Sequence, residues 1–255
     1  MPHSSPDSKE RFSARVDAYV AARPRYPQAV IDHLKRTIGL TPGWNIVDLG
    51  SGTGISCELF LQNGNAVTAV EPNAAMRSAA EKSLRAFASF TSVNGSAEAT
   101  TLPDACTDLV VAAQAFHWFD VPSTLAEWKR VLEPGGGGAA FWNDRTADTD
   151  FLREYEALLL ASSTEYAEVS RKYAVLAELR GSPLVTDWVE SGFPSAQSLD
   201  LEGFLGRVFS SSYVAHGIAD TAAFAREVEA LHGRHAVAGR VELRYRAIAA
   251  CWRHA

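Results

Sequence analysis

The chain has 255 residues, 47% of them hydrophobic and 21% charged, which is enough apolar material for a substantial core and excludes wholesale disorder. A formal net charge of −6 argues against gripping a nucleic acid backbone through bulk electrostatics. No apolar run approaches the roughly 20 residues that span a bilayer, and Met1 to Glu10 lacks the apolar core of a secretion signal. The expectation is a soluble, cytoplasmic protein that binds neither nucleic acid nor membrane.

Residues 1 to 9 are polar and rich in Pro and Ser, and read as disordered. Phe12, Val16, Tyr19 and Val20 then recur at helical spacing, in a helix that should stop at Arg23-Pro24. Tyr19, Arg23, Arg25 and Tyr26 fit either a packed helix end with solvated arginines or a lid over a ligand, with an arginine pairing a carboxylate. Pro27 to Leu40 reads as an amphipathic helix with Val30, Ile31, Leu34 and Ile38 on its apolar stripe and His33 beside it. Gly39 and Thr41-Pro42-Gly43 turn the chain into a first strand.

That strand, Ile46-Val47-Asp48-Leu49, runs into Gly50-Ser51-Gly52-Thr53-Gly54, and a helix begins at Ile55. Strand, glycine turn and helix open a doubly wound α/β domain, with a ligand expected over the helix N-terminus. A second strand, Ala66 to Val70, ends at Glu71, whose carboxylate can accept both hydroxyls of a ribose. A dinucleotide turn is spaced G-x-G-x-x-G and cradles a pyrophosphate. Here the spacing is G-x-G-x-G with Asp48 two residues upstream, and a carboxylate there suits an amino group and repels phosphate.

Beyond this turn, Asn73 to Phe87 reads as a helix, Ser89 to Val93 as a third strand, Asp108 to Ala113 as a fourth, Val121 to Leu132 as a helix and Gly138 to Trp142 as a fifth strand. Phe151 to Leu179 looks like one long helical stretch, followed by a turn at Gly192-Phe193-Pro194 and a strand over Ser195 to Leu201. Residues 203 to 215 and 220 to 235 look helical, and Val241 to Cys251 alternates as a last strand. Cys57, Cys106 and Cys251 follow no metal-ligand spacing, and no metal is expected. Buried thiols at Cys57 and Cys251 fit a reducing compartment. His232 and His235 read as a solvated helix face.

Asp48-Leu-Gly50-Ser-Gly52-Thr-Gly54 followed by Glu71-Pro72-Asn73 resembles the class I S-adenosylmethionine-dependent methyltransferases. Gly95-Ser-Ala97-Glu98, the run from Asp108 through Gln114 to His117-Trp118-Phe119-Asp120, and Arg130 to Gly136 extend the likeness over roughly residues 15 to 145. The wording Gln114-Ala-Phe-His117-Trp118-Phe119, with Arg23-Pro-Arg-Tyr26-Pro27, is similar to the branch holding trans-aconitate methyltransferase-like proteins. The chain departs from many relatives at Ser96, where they carry an acid for the adenine amino group.

The resemblance implies a Rossmann-like seven-stranded doubly wound α/β sheet, mostly parallel with an antiparallel last strand, and a helical cap. It divides the chain into an N-terminal tail and lid helices (1–42), a cofactor-binding core (43–143), a cap with one core strand (144–240) and a last core strand (241–255). It implies S-adenosylmethionine held by Asp48, Gly50, Gly52 and Gly54 at its methionine end, by Glu71 at the ribose and by Ala97 and Glu98 at the adenine, with Pro72 and Gln114 also in the cofactor site and Met76 either under the adenine or in the helix core. The acceptor would be a small molecule methylated on oxygen or nitrogen, with a carboxylate-bearing acceptor suggested by analogy.

Methyl transfer from a sulfonium needs alignment of the nucleophile and exclusion of water more than acid-base chemistry. His117 is the candidate base, because histidine titrates near neutral pH; the other reading has it fixing its loop or touching the cofactor. Tyr19, Arg23, Tyr26, Trp118, Trp142, Asn143 and Arg145 are the candidate acceptor contacts, with Trp118 and Phe119 as an aromatic wall or as ordinary core. Tyr213 and His216 are looser candidates. Rival readings are an NAD-dependent oxidoreductase, a nucleic acid methyltransferase and a catalytically inactive S-adenosylmethionine-binding protein. No Asn-Pro-Pro-Tyr or Asp-Pro-Pro-Tyr stretch is present to grip a flipped base.

Overall fold

The computed structural model describes residues 22–166 and 171–254. In chain order its elements are α1 (Ala29–Thr37), β1 (Asn45–Leu49), α2 (Ile55–Gln62), β2 (Ala66–Val70), α3 (Ala74–Leu84), β3 (Phe90–Val93) and β4 (Thr107–Ala113). Then follow α4 (Val121–Val131), β5 (Leu132–Arg145), α5 (Asp150–Ser162), α6 (Arg171–Gly181), β6 (Val185–Leu199), α7 (Leu201–Phe209), α8 (Ser212–Ala215), α9 (Thr221–His235) and β7 (Val241–His254). The seven strands form one sheet in the order β3-β2-β1-β4-β5-β7-β6. Strands β1 to β5 pair in parallel, and β7 lies antiparallel between β5 and β6. The expected sheet and its reversed last strand are present. Among the described residues no helix is long and apolar enough to cross a membrane.

The sheet is covered on both faces, so its central strands are apolar on both sides. Ile46, Leu109, Val111, Ala139 and Phe141 pack against α1 and α2, while Val47, Val110, Ala112, Ala140 and Trp142 pack against α4 and Leu179 of α6. A third cluster joins α5, α7 and α9 to Val241, Leu243 and Tyr245 of β7. The second face carries a ladder of three indoles: Trp188 stacks on Trp252 at 5.3 Å and Trp252 on Trp128 at 5.2 Å. Gly138 leaves room for it, since a Cβ there would stand 2.4 Å from the Trp252 ring and 2.5 Å from Trp128.

Several boundaries differ from the sequence reading. β6 begins at Val185, and the expected Gly192-Phe193-Pro194 turn lies inside it, with Pro194 paired to Arg246. A proline is tolerated there because β6 is an edge strand, where the missing N–H can face away from the ladder. β5 starts at Leu132 because the glycine run supplies a backbone that pairs with β4 and β7 where a side chain would collide. The long helical stretch from Phe151 is two helices, broken at Ser163, whose Oγ donates to the Tyr213 carbonyl at 2.6 Å. The stretch from 203 to 215 is likewise split, at Ser210-Ser211, and its first helix starts early because Asp200 caps it through the Gly203 N–H at 2.9 Å. The helix expected around Phe12 to Val20 lies outside the described residues.

Candidate functional site

The turn between β1 and α2 holds Gly50, Gly52 and Gly54 at positive φ, as side-chain-bearing residues rarely do. A Cβ on Gly50 would stand 2.8 Å from Ala115 Cβ, and one on Gly54 2.6 Å from Leu84 Cδ1. Those two glycines let protein pack on protein. A Cβ on Gly52 would meet nothing within 4 Å. Gly52 is therefore the member of the turn that faces open space.

Asp48, wholly buried beside this turn, accepts from Ser56 Oγ at 2.5 Å and from Cys57 Sγ at 3.1 Å, both on Oδ2. Its Oδ1 is buried with no partner. Burial pushes the carboxyl up to about 6; the two hydrogen bonds pull against that rise and the Glu71 charge adds to it. A buried acceptor without a donor is costly, and an ammonium group is a donor that would satisfy it. Burial and the neighbouring carboxylate raise the Cys57 thiol well above its ordinary range, which rules it out as a nucleophile near neutral pH.

Glu71 is buried at the end of β2 and spans two loops: Oε2 accepts the Gly52 N–H at 3.0 Å and Oε1 the Asn73 N–H at 2.8 Å. Burial raises its carboxyl, with the Asn73 and Gly52 amides and the Arg77 charge opposing. Each oxygen retains acceptor capacity, as a pair of hydroxyls requires. Arg77, which the sequence reading passed over, clasps this loop: Nη1 donates to the carbonyls of Glu71 at 2.7 Å and Pro72 at 2.9 Å, and to Asn94 Oδ1 at 3.0 Å. Asn73 caps α3 by accepting from the N–H groups of Ala75 and Met76. Met76 and Ala97 are buried, and Glu98 Oε1 accepts the Asp120 N–H at 3.2 Å.

Gln114, at the end of β4, has φ of 56°, a conformation rarely held without glycine. Its N–H donates to the Phe141 carbonyl at 2.9 Å and its Nε2 to the Asn143 carbonyl at 3.4 Å. His117 sits in a short 3-10 turn, Phe116–Trp118, half-buried with its ring 4.8 Å from that of Trp118, which is 46% exposed. Phe119 does not join Trp118 in a wall; it packs on Phe116 at 5.5 Å and closes under Gly50.

The remaining candidates part company. Trp142 is 2% exposed and belongs to the core under α4 and α6, because a sheet covered on both faces buries consecutive residues. Asn143 is buried too, with Nδ2 reaching the carbonyls of Pro24 and Arg25 at 3.5 Å and Oδ1 without a partner. Arg145 is turned inward: Nη2 donates to Glu156 Oε2 at 2.5 Å and Tyr166 Oη at 2.6 Å, and the guanidinium lies 4.3 Å from the centre of the Tyr155 ring. Arg23 Nη2 donates to the Ser210 carbonyl at 3.0 Å, Tyr26 packs on Phe141 at 6.0 Å, and Arg25 pairs with Glu58. Tyr19 lies outside the described residues.

His216 is exposed. The histidines of α9 are not a solvated face: His232 is buried against Phe204, and His235 contacts Glu154 at 3.0 Å. Unanticipated from sequence are Arg207, Tyr155, Tyr166 and Tyr245, which surround Tyr213 and Arg145. Their only sequence signal is an excess of polar ring and guanidinium groups in helices that must bury something.

Residues 47–139 match a family model described as a methyltransferase domain. An uncharacterized methyltransferase of Mycobacterium tuberculosis is 34% identical over 154 residues, 60% of this chain and 60% of the relative. A malonyl-[acyl-carrier protein] O-methyltransferase of Serratia marcescens is 28% identical over 149 residues, 54% of this chain and 57% of its own. A solved structure of a proposed type II methyltransferase from Anaeromyxobacter dehalogenans superimposes with a TM-score of 0.70 at 27% identity, covering 91% of this chain and 97% of that one. The matched segment thus spans about 60% of the length of the first of these curated relatives. Through residues 47–139 the chain is similar to a methyltransferase domain, on the fold of the Anaeromyxobacter dehalogenans structure.

Proposed function

We propose that the protein transfers a methyl group from S-adenosylmethionine to an oxygen or nitrogen of a small-molecule acceptor. The observation that carries this reading is the orphaned, buried Asp48 Oδ1 beside the open face of Gly52. An ammonium group satisfies that oxygen, whereas the pyrophosphate of a dinucleotide would be repelled by it. The acceptor capacity left on Glu71 suits the two ribose hydroxyls, and Met76, Ala97 and Glu98 would border the adenine. The residues present therefore fit this cofactor. When bound, it supplies a methyl group on a positively charged sulfur, already activated for in-line displacement.

What the chain itself contributes is alignment, water exclusion and a proton sink. Gln114, held in its strained conformation, keeps the end of β4 against β5 through Phe141 and Asn143. His117, in the 3-10 turn that follows β4, is the group offered to take a proton from a hydroxyl acceptor. Oxygen transfer is in keeping with the Serratia marcescens relative, named as an O-methyltransferase.

The test is a thermal melt with S-adenosylhomocysteine and, separately, NAD. A ligand at a hundredfold over its dissociation constant adds about 2.7 kcal/mol, so a clear shift is expected with the former and none with the latter. A shift with NAD alone would sink the proposal.

A further inference from the structure

β1 sends Ile46 to the face of the sheet covered by α1 and α2, and Asp48, two residues on, lies on the same side. There it meets the first turn of α2. A helix lying on a sheet buries apolar side chains, and α2 does so with Leu59, Phe60 and Leu61. At Ser56 and Cys57 it buries a hydroxyl and a thiol, 4% and 0% exposed. Both donate to Asp48, Ser56 Oγ at 2.5 Å and Cys57 Sγ at 3.1 Å. The first distance is that of a hydroxyl donating to a charged oxygen, and the second bond is the weak one a thiol gives.

Both bonds end on Oδ2. A carboxylate oxygen offers two lone pairs, so Oδ2 is full, while Oδ1, buried without a partner, keeps both of its own. The end torsion of an aspartate is soft, and two donors on one oxygen stop this carboxylate from turning. The other groups around it are accounted for. Glu71, at the end of β2, is the charge that acts on Asp48, and it is held by the Gly52 and Asn73 amides and faced by Arg77 of α3. Glu58, also in the first turn of α2, pairs with Arg25. The flanking strands bring Ala69 and Val111 opposite Asp48. Among the described residues no cation is paired with Asp48.

We infer that Ser56 and Cys57 are positioning residues for the cofactor: they hold Asp48 by one oxygen and so keep the other for the ammonium group of the methionine end. This deepens the methyltransferase reading and rests on it. With Oδ2 full, a proton bound by the carboxyl sits on Oδ1, the atom the ammonium needs. Proton and ligand therefore compete for one oxygen, and on binding the proton leaves Oδ1 for solvent. The two donors bias that competition. A hydrogen bond to the ionised form favours it, so Ser56, and Cys57 less strongly, pull Asp48 toward the charged state against the burial that opposes it.

The experiment is a set of calorimetric titrations of the full chain from pH 5 to pH 7.5 with S-adenosylhomocysteine and with 5′-methylthioadenosine, which has the same adenosine but no ammonium group. Wild-type affinity for the first should rise with pH and for the second stay level. Ser56→Ala should bind S-adenosylhomocysteine about tenfold more weakly, with the rise displaced to higher pH. It should bind 5′-methylthioadenosine as wild type does, which also shows that it is folded. Ser56→Thr, which keeps the hydroxyl, should restore the affinity and the pH of the rise. Cys57→Ser exchanges a weak donor for a stronger one and should displace the rise to lower pH; if Ser56→Ala does not fold, this variant carries the test. An equal loss with both compounds in Ser56→Ala would mean that Ser56 only shapes the turn, and would overturn the inference. A rise unmoved in Ser56→Ala and Cys57→Ser would overturn it too. A wild type that does not bind S-adenosylhomocysteine at any pH would instead overturn the cofactor reading.

Discussion

Glu71 and Gly52 are 19 residues apart in sequence, yet the carboxylate of one accepts the backbone N–H of the other at 3.0 Å. This bond locks the end of β2 to the glycine turn after β1, so the proposed ribose and methionine sites form as one unit. A hydrogen bond to a charged group contributes about 1.5–3 kcal/mol, against tenfold in affinity for each 1.4 kcal/mol. Glu71→Ala should therefore weaken S-adenosylhomocysteine by about 10- to 100-fold in a calorimetric titration. Glu71→Gln, which keeps one oxygen acceptor, should fall between. Unchanged affinity in both would remove Glu71 from the site.

Asp48 is expected to make cofactor binding pH-dependent. Its carboxyl is raised from 3.8 to about 6 in the folded chain, so between those values the folded state holds the proton more tightly than the unfolded one. The free protein should lose stability as pH rises through this window. An ammonium ligand favours the ionised carboxylate, so affinity for S-adenosylhomocysteine should rise from pH 5 to pH 7.5. Asp48→Asn should flatten that rise. A wild-type affinity independent of pH would contradict the assignment of Oδ1 to the amino group.

His117 is expected to act on the acceptor and not on the cofactor. Positioned acid-base groups typically contribute 10²–10⁴-fold. His117→Ala should therefore lower kcat for a hydroxyl acceptor by about a hundredfold and leave S-adenosylhomocysteine binding within a factor of about two. Loss of cofactor affinity in place of turnover would mean that the ring holds its loop.

Gly138 tests the tryptophan ladder. Adding a methyl group in contact with both Trp128 and Trp252 overpacks the core, at a cost of about 1–3 kcal/mol. For a chain of this size that is a fall of roughly 2–12 °C in Tm. The cofactor turn lies on other strands, so the variant should still respond to S-adenosylhomocysteine. A Tm equal to that of wild type would show that the indoles part without strain.

The proposed cofactor half of the site was legible as an arrangement because each of its signals is local. Asp48, the glycine turn and Glu71 lie at the ends of adjacent parallel strands, where the spacing along the chain dictates the spacing in space. Even there the roles of the glycines were not readable. Gly50 and Gly54 are set by Ala115 and Leu84, which approach from distant segments. Trp142 and Arg145 look alike in sequence as strand-end residues, and tertiary structure separates them: one faces α4 and α6, the other faces the tyrosines of the capping helices.

By itself the sequence determined the order of strands and helices through Trp142, the class of cofactor and the reversed last strand. The order of elements follows from periodicity; the cofactor class and the reversed last strand are what the resemblance carried by the motifs around Asp48 and Glu71 implies. Only the tertiary structure decided where the cations of the acceptor side point. Arg207 is 38 residues from Tyr245 and Arg145 is 11 from Glu156, and a helix of mixed apolar and polar residues does not reveal which of its charges will be buried. Burial and pairing are properties of surfaces brought together from several elements, and for this protein they turn Arg145 and Arg207 inward among the tyrosines beside β5 and β7.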